Sequence, residues 1–132
     1  MIGEQYELEK LVDYEIRCAK RYRRFISIAM ISDRYNSHRE EKFIQEHCVR
    51  DCDQLYRLEA GSAIVMTETD KPGALHALRR LQHSCLEDLD LRAAVVTFPF
   101  DGFSADELML NILRRMERAK KLSARNAIVM QG

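Results

Sequence analysis

Arg50 and Asp53 stand three residues apart in the segment Arg50-Asp51-Cys52-Asp53, within a stretch from Glu40 to about Asp53 whose composition is helical. Residues three apart on a helix share a face, so this pair can hold a guanidinium fork and a carboxylate against one object. Guanine fits such a pair. Its O6 and N7 accept a bidentate guanidinium, its N1 and N2 hydrogens go to a carboxylate, and an arginine also grips phosphate. The same spacing describes an ordinary helical ion pair worth about 0.3 to 0.5 kcal/mol, and spacing alone does not choose between the two. His47, Cys48 and Cys52 form a second cluster, and the step of four between the cysteines puts both sulfurs on one helical face. Two thiolates and a neighbour do not complete tetrahedral zinc, so half-buried thiols are expected and no metal or cofactor is.

The elements that must position these groups follow from periodicity. From Tyr6 to Arg24, Leu8, Leu11, Val12, Ile16, Ala19 and Tyr22 recur at steps of three and four, which predicts an amphipathic helix. Its closing cations Lys20, Arg21, Arg23 and Arg24 suit the negative end of the helix dipole. Phe25 to Ile31 reads as a strand buried on both faces and hence central in a sheet. Leu55 to Leu58 and Ala63 to Thr67 read as a hairpin about Glu59, Ala60 and Gly61. Pro72 can open a helix whose stripe is Ala74, Leu75, Leu78, Leu81 and Cys85. Leu91 to Phe98 returns to strand. Ser104 and Glu107 form a capping box for a helix with Leu108, Ile112, Leu113 and Met116 on its apolar face, and Ala127 to Met130 closes as an edge strand. The predicted class is α/β: one domain over residues 1–132, a mixed central sheet flanked by helices with a hairpin in the middle.

Bulk numbers narrow the function. Lys plus Arg and Asp plus Glu both number 21 in 132 residues, so no broad field draws nucleic acid or anionic lipid. The apolar runs are strand length, and no membrane span or secretory signal is read, so a cytoplasmic location with free thiols at Cys18, Cys48, Cys52 and Cys85 is expected.

The predicted order, with its central hairpin, resembles the nucleotidyl-cyclase fold of GGDEF (diguanylate cyclase) domains. Glu15 to Arg24 and Ile26 to Tyr35 are similar to that family's leading helix and first strand. Thr97 to Leu108 resembles its strand, loop and helix start, and Lys121 to Val129 its closing lysine, arginine-asparagine and last strand. The most specific likeness is Arg50 to Asp53, followed after five residues by Glu59, Ala60, Gly61, Ser62 and Ala63 where the family has its signature. The resemblance implies that Arg50 and Asp53 are an RxxD inhibitory site for cyclic di-GMP. It also implies that an arginine on the helix after the hairpin, Arg79 or Arg80, helps hold the dinucleotide.

The resemblance further implies that catalysis is lost. The family's first strand ends in a magnesium-binding aspartate where Ile31 stands, with Asp33 two residues on, and Gly61 stands in place of the hairpin acid. Two signature glycines are Glu59 and Ala60, and Glu59 repels phosphate. The guanine-recognition segment is cut to Asn36, Ser37 and His38. Phosphoryl transfer depends on metals that neutralise developing charge, so cyclase activity is expected to be absent. Lys121 and Arg125 match the family's phosphate-contacting pair and read here as relics or helix-end charges. The expected function is a non-catalytic cyclic di-GMP effector that signals to a protein partner. The alternative is a ligand-independent interaction module on the same inactive fold. An enzyme of altered substrate lacks support, because Asp33, Glu59 and Ser62 form no known constellation. Neither nucleic acid nor membrane insertion is expected, and a two-fold homodimer is the default form of any self-association.

Overall fold

The apolar run after Phe25 becomes the middle strand of a five-stranded sheet. In the computed structural model, which describes residues 5–33, 39–47, 53–59, 61–84 and 89–132, β1 (Ile26–Asp33) is buried along its whole length. It lies between β3 (Gly61–Thr67) and β4 (Leu91–Phe98), antiparallel to both. β2 (Gln54–Leu58) pairs antiparallel with β3 at one edge, and β5 (Ile128–Val129) pairs parallel with β4 at the other, giving the order β2-β3-β1-β4-β5.

A strand buried on both faces needs cover on both, and the period of two in β1 divides its side chains between two cores. Ile28 and Met30 face α1 (Gln5–Tyr22) and α4 (Ala105–Lys121), packing with Leu8, Val12, Ile16, Leu108, Ile112 and Met116. Ala29 and Ile31 face α2 (Glu40–His47) and α3 (Lys71–Ser84), packing with Ile44, Ala74, Leu78 and Leu81. The chain therefore runs helix, strand, helix, hairpin, helix, strand, helix, strand, as its periodicity predicts.

Three details differ from the sequence reading. The helix expected to reach about Asp53 is described over Glu40–His47, and Asp53 itself is not helical but stands immediately before β2, where the backbone must already be extended. Tyr22, placed on the apolar face of α1, is 58% exposed at the last residue of the helix. Leu113, placed on the apolar face of α4, is exposed and lines a small cleft of about 230 Å³ with Met30, Leu58 and Met109. At the start of α4, the Glu107 N–H donates to Ser104 Oγ at 3.1 Å, so the predicted cap forms.

Two buried arginines tie the second half of the chain together. Arg92, in β4, pairs with Asp90 and donates to the carbonyls of Ala119 and Leu122 at the end of α4. Arg115, in α4, donates to the Val95 carbonyl at 2.6 Å and to Asp101 Oδ1 at 2.8 Å. Among the described residues, no helix is long and apolar enough to cross a membrane.

Candidate functional site

α3 is positioned by its first turn and its stripe. Asp70 caps it, accepting from the Gly73 N–H at 2.9 Å, Pro72 occupies the first turn, and Ala74, Leu78 and Leu81 are buried against the sheet. That orientation turns Arg79 and Arg80 outward. They line a broad cleft of about 1090 Å³ whose other walls come from α2, β3 and the entrance to β2. Asp53 lines the same cleft, with a relative exposure of 7%. His76, His83 and Glu46 complete a lining of mixed charge.

The structure thus brings three of the four predicted ligand residues, Asp53, Arg79 and Arg80, onto one cleft. Arg50 lies outside the described residues, as do Ala60, Cys48, Cys52, Cys85, Asn36, Ser37 and His38. The same-face helical geometry expected of Arg50 and Asp53 does not hold at Asp53, which is not helical.

The stretch from Glu59 to Ala63 lies beside the far end of β1. Glu59 is exposed in the turn. Gly61 opens β3 with φ +147°, and a Cβ there would collide with the Ile31 carbonyl oxygen of the neighbouring strand. The glycine is therefore a packing requirement of this hairpin. Ser62 is paired in register with Ile31, is buried, and donates to Glu40 Oε1 at 3.2 Å, while Ala63 lies in the core. Ile31 is fully buried among apolar side chains, and Asp33, the last residue of β1, is 3% exposed and opposite Leu91. Glu40, which sequence reasoning used only to mark the start of a helix, is fully buried beside this hairpin. Among the described residues, no group of three or more His, Cys, Asp or Glu side chains is gathered to hold a metal.

Lys121 and Arg125 separate. Lys121 is exposed in the last turn of α4, as a helix-end cation would be. Arg125 lies beyond the helix, so it is no helix-end charge. Its guanidinium donates to the Leu89 carbonyl at 3.0 Å, and next to it the Asn126 N–H donates to Asp90 Oδ1 at 2.7 Å while Asn126 Oδ1 accepts from the Leu91 N–H at 2.8 Å. The arginine-asparagine string thus locks the entrance to β4.

No family model and no curated protein matches this sequence. Solved structures do match in three dimensions. The GGDEF domain of YfiN (TpbB) from Pseudomonas aeruginosa superposes with a TM-score of 0.81 at 15% identity, covering 99% of this chain and 97% of that one. The GGDEF domain of FimX from Pseudomonas aeruginosa gives 0.81 at 16% identity, covering 98% and 94%. A microbial GGDEF domain described in a novel interaction mode with cyclic di-GMP gives 0.78 at 14% identity, covering 97% and 90%. At such identities the likeness is one of architecture, and it extends over nearly the whole chain: the protein has the fold of GGDEF domains.

Proposed function

We propose that this protein is a non-catalytic cyclic di-GMP-binding effector that passes the ligand signal to a protein partner. The observation that carries the reading is the common cleft of Asp53, Arg79 and Arg80. Its volume of about 1090 Å³ lies at the upper end of small-molecule sites, in keeping with a dinucleotide. The two guanidinium groups can grip phosphate or a guanine edge, and the carboxylate offers the complementary acceptor for guanine N–H groups. A GGDEF domain of the same fold interacts with cyclic di-GMP, which makes the ligand class a reasonable one for this architecture.

Loss of catalysis is supported by the far end of the sheet. Ile31 is apolar and buried where the resemblance places a metal ligand, and Gly61 leaves no room for the acid that would be its partner. Without carboxylates to hold magnesium, the γ-phosphate of GTP has nothing to neutralise its developing charge.

Calorimetric titration with cyclic di-GMP, GTP and cyclic di-AMP tests ligand and specificity together. Saturable heat with cyclic di-GMP, weakened by Arg79→Ala or Arg80→Ala, is the expected result. An absence of heat at high micromolar ligand on folded protein defeats the effector reading and leaves the ligand-independent docking module in its place.

A further inference from the structure

α3 carries Lys71, His76, Arg79, Arg80 and His83 over its 14 residues and no carboxylate, although acids and bases number 21 each in the whole chain. Counted at about 100° per residue, His76, Arg79, Arg80 and His83 fall within one arc of about 100°, opposite the buried Ala74, Leu78 and Leu81. All four side chains are exposed, and all four line the cleft of Asp53. The helix dipole accounts for His83, which stands in the last turn, but not for His76 and Arg79, which are more than a turn from either end. The two imidazoles bracket the arginines, seven residues apart, a rise of about 10 Å along the axis. A row of that length can meet both phosphates of a dinucleotide at once.

Among the described residues, the other charges of the cleft come from the elements around α3. Glu46 belongs to α2, Asp53 precedes β2, and Glu68 and Asp70 stand in the segment between β3 and α3. Glu68 is paired with Arg24 at 2.8 Å, and Asp70 is held by the Gly73 N–H at 2.9 Å. Cations and imidazoles are thus gathered on α3, and carboxylates on the elements that border it.

We propose that His76 and His83 are phosphate-binding residues of this cleft and that they take up protons as the dinucleotide binds, so that pH sets its affinity. The proposal rests on the reading of the cleft as a cyclic di-GMP site and adds to it the phosphate contacts and their control. The ligand lies with its phosphates on α3 and its guanine edges toward the carboxylates. Histidine is the side chain that ordinarily changes charge between about pH 5 and 8. A phosphodiester keeps its negative charge throughout that range, so a protonated imidazole gives it a charge-assisted hydrogen bond that the neutral ring cannot match. The complex then holds more protons than its free components, and affinity rises as pH falls through the histidine range. Arg79 and Arg80 stay charged throughout and supply the part of the affinity that does not vary.

Calorimetry with cyclic di-GMP on the whole chain tests it, run at about pH 6 and about pH 8 with equal ionic strength. Wild type should bind at least about fivefold more tightly at the lower pH, and titrations near neutral pH in two buffers of different ionisation heat should show net proton uptake. His76→Gln with His83→Gln keeps polar side chains and a good helix former but removes the titrating rings. This variant should bind with little pH dependence and little proton uptake, at a melting temperature near that of wild type because both positions are exposed. His76→Lys with His83→Lys, cationic at both pH values, should hold the tighter affinity at both. Binding equally tight to wild type at the two pH values, or a pH dependence that survives in the glutamine variant, overturns the proposal and leaves the cyclic di-GMP reading standing. Absence of saturable heat at either pH overturns both.

Discussion

The guanidinium of Arg92 and the carboxylate of Asp90 meet in a two-pronged ion pair, Nε to Oδ1 at 3.1 Å and Nη2 to Oδ2 at 2.9 Å, with the arginine side chain wholly out of solvent. Nη1 of the same group donates to the Ala119 carbonyl at 2.8 Å, and Asp90 also receives the Asn126 N–H. One side chain thereby joins β4, the end of α4 and the turn into β5. Arg92→Ala leaves a carboxylate and helix-end carbonyls without their donors, so it should cost about 3 to 5 kcal/mol in urea denaturation. Arg92→Lys should recover little, since an ammonium cannot reproduce the fork. Wild-type stability in Arg92→Ala would contradict this account of the C-terminal half.

Gly61 should tolerate no side chain. Its φ of +147° is hostile to L residues, and the Ile31 carbonyl occupies the space a Cβ needs. Gly61→Ala should cost at least about 1 to 3 kcal/mol in chemical denaturation, and Gly61→Asp should be worse. Restoring an acid at this position therefore cannot restore a metal site without first disturbing the hairpin.

Asp101 gives the protein an acid-sensitive joint. Burial by itself raises its pKa, but hydrogen bonds from the Arg115 guanidinium, the Thr97 N–H and the Lys71 ammonium outweigh that effect and hold it below the ordinary carboxylate value. A carboxyl whose pKa is lower folded than unfolded adds stability that is complete above the unfolded value, near pH 4, and disappears as pH falls through the folded one. Asp101→Asn should thus lower stability at neutral pH and flatten its decline in acid, as followed by urea midpoints over a pH series. Parallel decline of variant and wild type below pH 4 would assign the acid response to other groups.

The order of elements was legible because periodicity is a local signal. The largely apolar β1 announces a central strand, and the stripe of α3 announces which side of that helix faces out, carrying Arg79 and Arg80 with it. What the sequence hid was tertiary. Asp53 lies in a stretch of helical composition, yet the chain must extend to enter β2, and strand pairing overrides local preference there. Arg92 gave one faint sign, a lone charge between Leu91 and Ala93 in a buried strand, but its partners are Asp90 and carbonyls 27 and 30 residues away. Gly61 could be read as a missing acid because nothing local tells that the Ile31 carbonyl stands over it. The hydrogen bonds of Arg125 and Asn126, which tie the entrance of β4 to the segment before β5, were likewise invisible in a string read for phosphate contacts.

With magnesium and GTP the purified protein should form no cyclic di-GMP above a buffer blank, as followed by chromatography of the nucleotide products. The expectation rests on Ile31 and Gly61 standing where the resemblance to GGDEF domains places metal carboxylates. Product accumulating with enzyme concentration would show that another set of ligands holds the metals.

Calorimetry with cyclic di-GMP on wild type, Arg79→Ala, Arg80→Ala and Asp53→Ala tests the central claim most directly. Arg79 and Arg80 are exposed, so their removal should leave the melting temperature nearly unchanged, whereas Asp53 is buried and its variant needs a stability control. Loss of an arginine that grips guanine or phosphate should weaken binding by about 1 to 3 kcal/mol, roughly five- to 150-fold. The account predicts saturable binding to wild type and that loss in at least one arginine variant of unchanged stability. No saturable heat at high micromolar ligand, or binding indifferent to all three substitutions, would contradict it.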